Sequence, residues 1–220
     1  MITEMIVSGF LFLFILVLNL VMAALGYLME KDDYDPDADL QKINNDPKRF
    51  QTSIVLALIE HGSVIALAIM LSILFSPYNL ILGIVCVVFR IGEGLIQYIS
   101  EPNYWKLINI ASQYSDASGA EKNSLSELAR SLFKTKDIRF KFAMMCWSIG
   151  TLAYSIVIAT SEALPQVIGW LGIAASLLVG FSTGTKLAKP AAKDLTAIGG
   201  LTATLFEIII GGWLLFSPLI

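Results

Sequence analysis

Seven polar residues stand inside otherwise apolar runs of this chain: Asn19, Glu60, His61, Arg90, Glu93, Gln97 and Glu207. Carboxylates, an imidazole and a guanidinium can hold or pass a proton, hold a cation, or bind a small polar ligand, and ionisable groups within hydrophobic spans are functional candidates by default. Glu60 and His61, the only histidine of the chain, lie side by side in ALIEHGSVIAL, residues Ala57 to Leu67. Arg90, Glu93 and Gln97 fall at i, i+3 and i+7, so they form one stripe of a helix, with Gly83, Cys86 and Gly94 close to it. Three carboxylates, Glu60, Glu93 and Glu207, face one guanidinium, which sets the fully ionised charge at −2, or −1 with His61 protonated. A site of low dielectric does not hold that excess unpaired, so a protonated carboxyl or a bound cation is expected there.

The elements that carry these residues are helices. Of 220 residues 56% are hydrophobic and 15% charged, with a mean hydropathy of +0.72, where soluble domains carry about 25% charged residues. Six segments are long enough to cross a hydrocarbon core of about 30 Å, which takes about 20 apolar residues as helix: Met5 to Met29, Gln51 to Phe75, Asn79 to Ile99, Phe140 to Thr160, Leu164 to Thr183 and Thr196 to Phe216. Each run is continuously apolar, unlike the alternating strands of a membrane barrel, and a helix satisfies its own backbone groups in lipid. The expected fold is all-α: a polytopic six-helix transmembrane bundle forming a single domain over residues 1–220. The first segment has too long an apolar run for a signal peptide and no Lys or Arg before it, so it is expected to be retained.

Every Lys and Arg except Arg90 falls in or at the edge of the three connections on one side of these crossings. The positive-inside rule then places those connections in the cytoplasm, and both termini on the non-cytoplasmic side of the cell (inner) membrane. Counted from the basic ends of their helices, Asn19, Glu60, Arg90, Glu93 and Glu207 lie about 9 to 17 Å deep at about 1.5 Å per residue, and His61 shares that level. A lone charge there costs at least about 2.5–3.5 kcal/mol, so the five are expected to meet. Gly200, Ala203, Thr204, Glu207 and Gly211 form a small-residue face on the last helix, which predicts a close central contact of the third helix with the sixth. The five-donor fork of Arg90 is then expected to engage Glu93 and also Glu60 or Glu207. Ion pairs that do no more than specify which helices pack together account for the same residues.

Other features point to simpler chemistry. The alternating Asp33, Asp35, Asp37 and Asp39 suggest a calcium loop, but Ala38 stands where an EF-hand needs glycine and Asn44 where it needs glutamate. A solvated acidic linker is expected instead. Between the third and fourth spans, Ser124 and Glu127 form a capping box ahead of Leu125, Leu128, Ala129 and Leu132. This predicts an amphipathic interfacial helix, with Arg130, Lys134 and Lys136 at anionic headgroups and Tyr104 and Trp105 as interfacial anchors; a cytoplasmic cap packed on the bundle fits equally well. Cys86 and Cys146 show no metal spacing and read as small buried hydrophobes. There is no zinc-binding HExxH, nucleophile elbow or phosphate loop. One histidine forbids a multi-histidine metal site within one chain, and bis-histidine haem ligation would need a second. The sequence therefore implies no metal, no cofactor, no nucleic-acid partner and no enzymatic activity. Its expected partners are membrane lipid and a second copy or a larger membrane complex.

The order DLQKINNDPKRFQTSIVLALIE, FRIGEGL, LPQVIGWLGIAASLLVG and FEIIIGGWLLF resembles the prokaryotic six-helix membrane proteins grouped as domain of unknown function 4386. The likeness covers most of the chain. The family pattern has an aromatic or apolar residue before an arginine with glutamate three later, matched by Phe89, Arg90 and Glu93, and an acidic residue leading the last helix, matched by Glu207. His61 lies outside that pattern, and Glu162 stands where the family often has a basic residue. The resemblance implies fold and topology and brings no activity or cofactor. The sequence thus supports a buried Glu/Arg/His cluster that binds or translocates a proton, cation or small polar ligand. An accessory or assembly subunit with a purely structural cluster, and a lipid- or quinone-binding protein, are the alternatives.

Overall fold

A computed structural model describes residues 2–27, 35–189 and 195–217 of the chain. They form eight helices: α1 Ile2–Ala24, α2 Pro36–Asn45, α3 Pro47–Phe75, α4 Leu80–Tyr98, α5 Glu101–Asp116, α6 Gly119–Thr160, α7 Gln166–Ala188 and α8 Thr196–Phe216. Six helical runs are long and apolar enough to cross a membrane, with α4 and α5 counted as one run broken at Ile99 and Ser100. The expected spans coincide with these helices, except that the first ends at Ala24; Leu28 and Met29 lie outside the described residues. Gly26 stops it in the left-handed region, with φ 85°. The Tyr27 N–H reaches back to the Met22 carbonyl at 3.0 Å and the Gly26 N–H to Ala23 at 3.0 Å, a Schellman ending that turns Tyr27 in toward the protein.

The spanning helices stand in a ring that follows the chain: α1 packs on α3, α3 on α4, α4 on α6, α6 on α7, α7 on α8, and α8 closes back on α1. The outer surface of the ring is apolar, and Leu20, Ile81, Val167 and Leu201 are 72–74% exposed. That inversion of the soluble pattern is what a lipid environment selects. The expected contact of α4 with α8 is not formed among the described residues. Gly211 of α8 packs on Phe12 of α1, while Gly200, Ala203, Thr204 and Glu207 face a cavity. Arg90 keeps α4 beside α6: its stem lies on Gly150, where a Cβ would stand 2.7 Å from Arg90 Cγ.

A second core sits at one end of the ring, where Leu40, Ile43, Phe50, Tyr104, Leu107 and Phe133 are buried together. It corrects the linker expected around Asp35. Asp35 caps α2 by accepting from the Ala38 N–H at 3.1 Å, Pro36 supplies the first-turn φ, and Leu40 and Ile43 bury one face. Hydrogen bonds from Ser126 and Tyr114 hold the Asp37 carboxyl below its usual range. Lys31 and Asp33 fall outside the described residues. The Ser124 capping box is also corrected. Ser124 lies inside α6, which begins at Gly119 (φ 57°) after the extended Ser118 and continues as one helix of 42 residues into the fourth span.

Close helix approach sets the tolerance for side chains. A Cβ on Gly9 would stand 2.7 Å from the Gly211 carbonyl oxygen, whereas one on Gly62 would meet nothing within 4 Å. Gly9→Val should therefore cost roughly 1–3 kcal/mol through overpacking, and Gly62→Ala should be neutral or stabilising by up to about 1 kcal/mol. Thermal unfolding in detergent, followed by tryptophan fluorescence, distinguishes the two.

Candidate functional site

Inside the ring lies a cavity of about 720 Å³. Asn19 of α1, Glu60 of α3, Arg90, Glu93 and Gln97 of α4, and Glu207 of α8 all line it. Of the sequence-derived site residues only His61 is absent from the lining. Apolar walls complete it, among them Leu13, Leu16, Phe140, Met144 and Val179.

Helical spacing brings Arg90 and Glu93 together. The Arg90 Nη1 donates to Glu93 Oε2 at 2.6 Å, and both residues are buried. Arg90 Nε has no hydrogen-bond partner, and the arginine makes no ion pair with Glu60 or Glu207 among the described residues. The expected reach across the ring therefore does not occur; the stem of Arg90 is held against Gly150 and its fork turns along its own helix. Glu207 instead accepts from the Trp147 indole N–H at 3.1 Å. Gly94 lets α3 come close, since a Cβ there would lie 2.7 Å from Ile65 Cγ1 and 3.1 Å from the His61 carbonyl oxygen.

His61 turns away from the cavity and joins two carboxylates. Its Nδ1 lies 2.5 Å from Glu60 Oε2 and its Nε2 lies 3.3 Å from Glu101 Oε1. Glu101 Oε1 also accepts from the Tyr27 hydroxyl at 2.5 Å and from Lys136 Nζ at 2.9 Å. The Lys136 ammonium donates to the Tyr27 oxygen as well, and stands 3.4 Å from the centroid of the Tyr104 ring. Glu101 Oε2 is buried without a hydrogen-bond partner. A second polar cluster thus adjoins the cavity through Glu60.

Tyr27, Glu101, Lys136 and Trp147 were not among the site residues expected from sequence. Lys136 and Tyr104 were expected at headgroups, yet both are buried, while Arg130, Lys134 and Trp105 are exposed. The signal for Lys136 was helical phase: Ala129, Phe133 and Lys136 occur at i, i+4 and i+7, and the first two are fully buried. Glu101 stands just beyond a span and immediately before Pro102, in the first turn of α5. Nothing in its neighbours marks it as buried. Contrary to the expectation that no such motif is present, the stretch GFSTG, Gly180 to Gly184, has the G-x-S-x-G spacing of a nucleophile elbow. It lies inside uninterrupted α7, where the Ser182 hydroxyl donates to the Val179 carbonyl at 3.1 Å, so the sharp strand-to-helix turn that exposes such a serine is lacking. Cys86 is buried and Cys146 partly so, both as free thiols.

A family model described as Domain of unknown function (DUF4386) matches residues 7–217. No curated protein and no solved structure matches the chain.

The buried pair and the tyrosine yield two expected outcomes. Arg90→Met leaves Glu93 uncompensated and should destabilise the fold by about 3–5 kcal/mol, much of which the double variant Arg90→Met/Glu93→Gln should restore, as chemical denaturation will show. Tyr27 lies beyond the end of α1, and burial, with the Glu101 carboxylate next, raises its phenol well above the ordinary 10.0. The folded state therefore holds that proton more tightly than the unfolded chain. The resulting stability is complete below pH 10 and declines as pH rises beyond it. Tyr27→Phe should flatten this alkaline decline in a pH series of melting temperatures.

Proposed function

The chain belongs to the family described as a domain of unknown function (DUF4386), so its activity has to be sought in its own cavity, and we propose that this cavity binds a small organic cation with an apolar body. The observation that carries the reading is the charge around one cavity: Glu60, Glu93 and Glu207 line it with a single guanidinium, and that guanidinium is paired to Glu93. Glu207 is left with a neutral indole donor, and acidic character remains for a cationic guest. A volume of about 720 Å³ falls in the range of small-molecule sites, roughly 300–1,000 Å³. Phe140 and Trp147 supply aromatic rings, whose faces attract cations, and the aliphatic walls suit the remainder of an amphipathic guest. Ion pairs that served packing alone would need no cavity of this size beside them.

On this reading the protein is a binding or transport protein of the cell membrane rather than an enzyme, and its guest arrives through the lipid phase. The basic residues favour an orientation in which the capped end, with α2, α5 and the start of α6, is cytoplasmic and both termini are outside.

Benzyltrimethylammonium and benzenesulfonate provide probes of similar size and opposite charge. The cation should raise the melting temperature of the detergent-solubilised wild-type protein in a saturable way, and the anion should not. Glu207→Gln should weaken cation affinity about tenfold, equivalent to about 1.4 kcal/mol. Equal stabilisation by both probes, or none by the cation, would remove the proposal.

A further inference from the structure

We propose that His61 is a proton-transfer group, linking Glu60 in the cavity to Glu101 in the polar cluster at the capped end of the bundle. This step does not require the cavity's guest to be a cation; it requires only that Glu60 exchange protons with the cavity.

The geometry is that of a bridge. One imidazole spans two carboxylates on different helices, 2.5 Å from Glu60 on α3 and 3.3 Å from Glu101 on α5. His61 is 3% exposed, so bulk water does not serve as an alternative partner to either nitrogen. Imidazole is the side chain suited to such a place, because it can accept at one nitrogen while donating at the other.

The step balances within the chain. A protonated Glu60 gives its proton to Nδ1, so an N–H bond forms there as the carboxyl O–H bond breaks. The imidazolium then loses the proton on Nε2 to Glu101, and Glu60 is left as carboxylate. One proton has moved from the cavity to the cluster, and the ring is in its opposite tautomer. Rotation of the ring, once Glu101 has passed its proton on and Glu60 has taken up another, resets it for the next transfer.

The surrounding charges fit this direction of use. Lys136 and Tyr27 both donate to Glu101 Oε1, which favours the carboxylate as the resting acceptor. An arriving proton reaches Glu101 at Oε1, the oxygen 3.3 Å from Nε2, while Oε2 is buried without a hydrogen-bond partner. On the cavity side Arg90 and Glu93 of α4 compensate each other, so Glu60 is the carboxylate in contact with both the cavity and the imidazole. His61 is thus faced by Glu60, by Glu101, by the Lys136 and Tyr27 groups on Glu101, and across α4 by the Arg90–Glu93 pair. A histidine that only braced two helices would need no cavity beside one of its partners.

The full-length protein in liposomes loaded with a pH-sensitive dye tests this, with a valinomycin-driven potassium diffusion potential pulling protons in. Wild-type vesicles should acidify faster than protein-free vesicles. His61→Gln retains hydrogen bonding but cannot shuttle, and should acidify roughly 100-fold more slowly than wild type, the scale of a lost acid–base group. Wild-type vesicles no faster than empty ones, or a folded His61→Gln protein as fast as wild type, would overturn the proposal. Because His61 is the only histidine, ¹⁵N-histidine labelling gives a second measurement on the unaltered chain, independent of whether the variant folds. Solid-state NMR should show both ring nitrogens hydrogen-bonded and the proton exchanging between them as pH is varied. Glu60→Gln should perturb chiefly Nδ1 and Glu101→Gln chiefly Nε2. A single fixed tautomer over the whole pH range would overturn it. Neither measurement involves benzyltrimethylammonium, so failure of cation binding and failure of the relay give different results.

Discussion

Glu101 joins, at the second hydrophobic core, parts of the chain that lie far apart in sequence. Its Oε1 receives the phenol that follows α1, the imidazole of α3 and the ammonium of α6. A carboxylate excluded from water is costly unless its lone pairs are used, and the cost is recovered only when all donors are delivered together. This explains local features that otherwise look arbitrary. Gly26 adopts the left-handed conformation that turns Tyr27 inward. The helix break at Ile99 and Ser100 places Glu101 in the first turn of a new helix. Lys136 lies under two tyrosine rings and not in solvent.

The cavity and this cluster meet at Glu60, and they differ in construction. The cluster has donors from several elements converging on one oxygen. The cavity has polar groups dispersed over α1, α3, α4 and α8, with one internal ion pair and aliphatic walls between them. The first arrangement holds helices in place. The second leaves room for a guest, and glycines keep the surrounding contacts tight: Gly150 under Arg90 and Gly94 against His61.

Much of this was legible in the residues. The apolar runs located all six spans, because a helix crossing lipid needs both length and continuous hydrophobicity. The rarity of polar groups inside those runs singled out Asn19, Glu60, Arg90, Glu93, Gln97 and Glu207, all of which line one cavity. The ring order was not legible. A small-residue face such as Gly200 to Gly211 can serve helix contact or open space, and pattern alone does not say which. The second cluster was hidden for another reason. Glu101 and Lys136 lie in connections rich in charge, where composition argues for solvent, and only tertiary packing reveals that two of those charges are buried. α2 was missed similarly, since its mean polarity masked the pair Leu40 and Ile43.

Because neighbours in the ring are also neighbours in the chain, each new helix finds a wall already standing as it leaves the ribosome, and most contacts need only short loops. The seam between α1 and α8 is the exception. Gly9 must wait for Gly211 to be synthesised, so Glu60, Arg90 and Glu93 face an unfinished enclosure until the final helix arrives, bringing Glu207 with it.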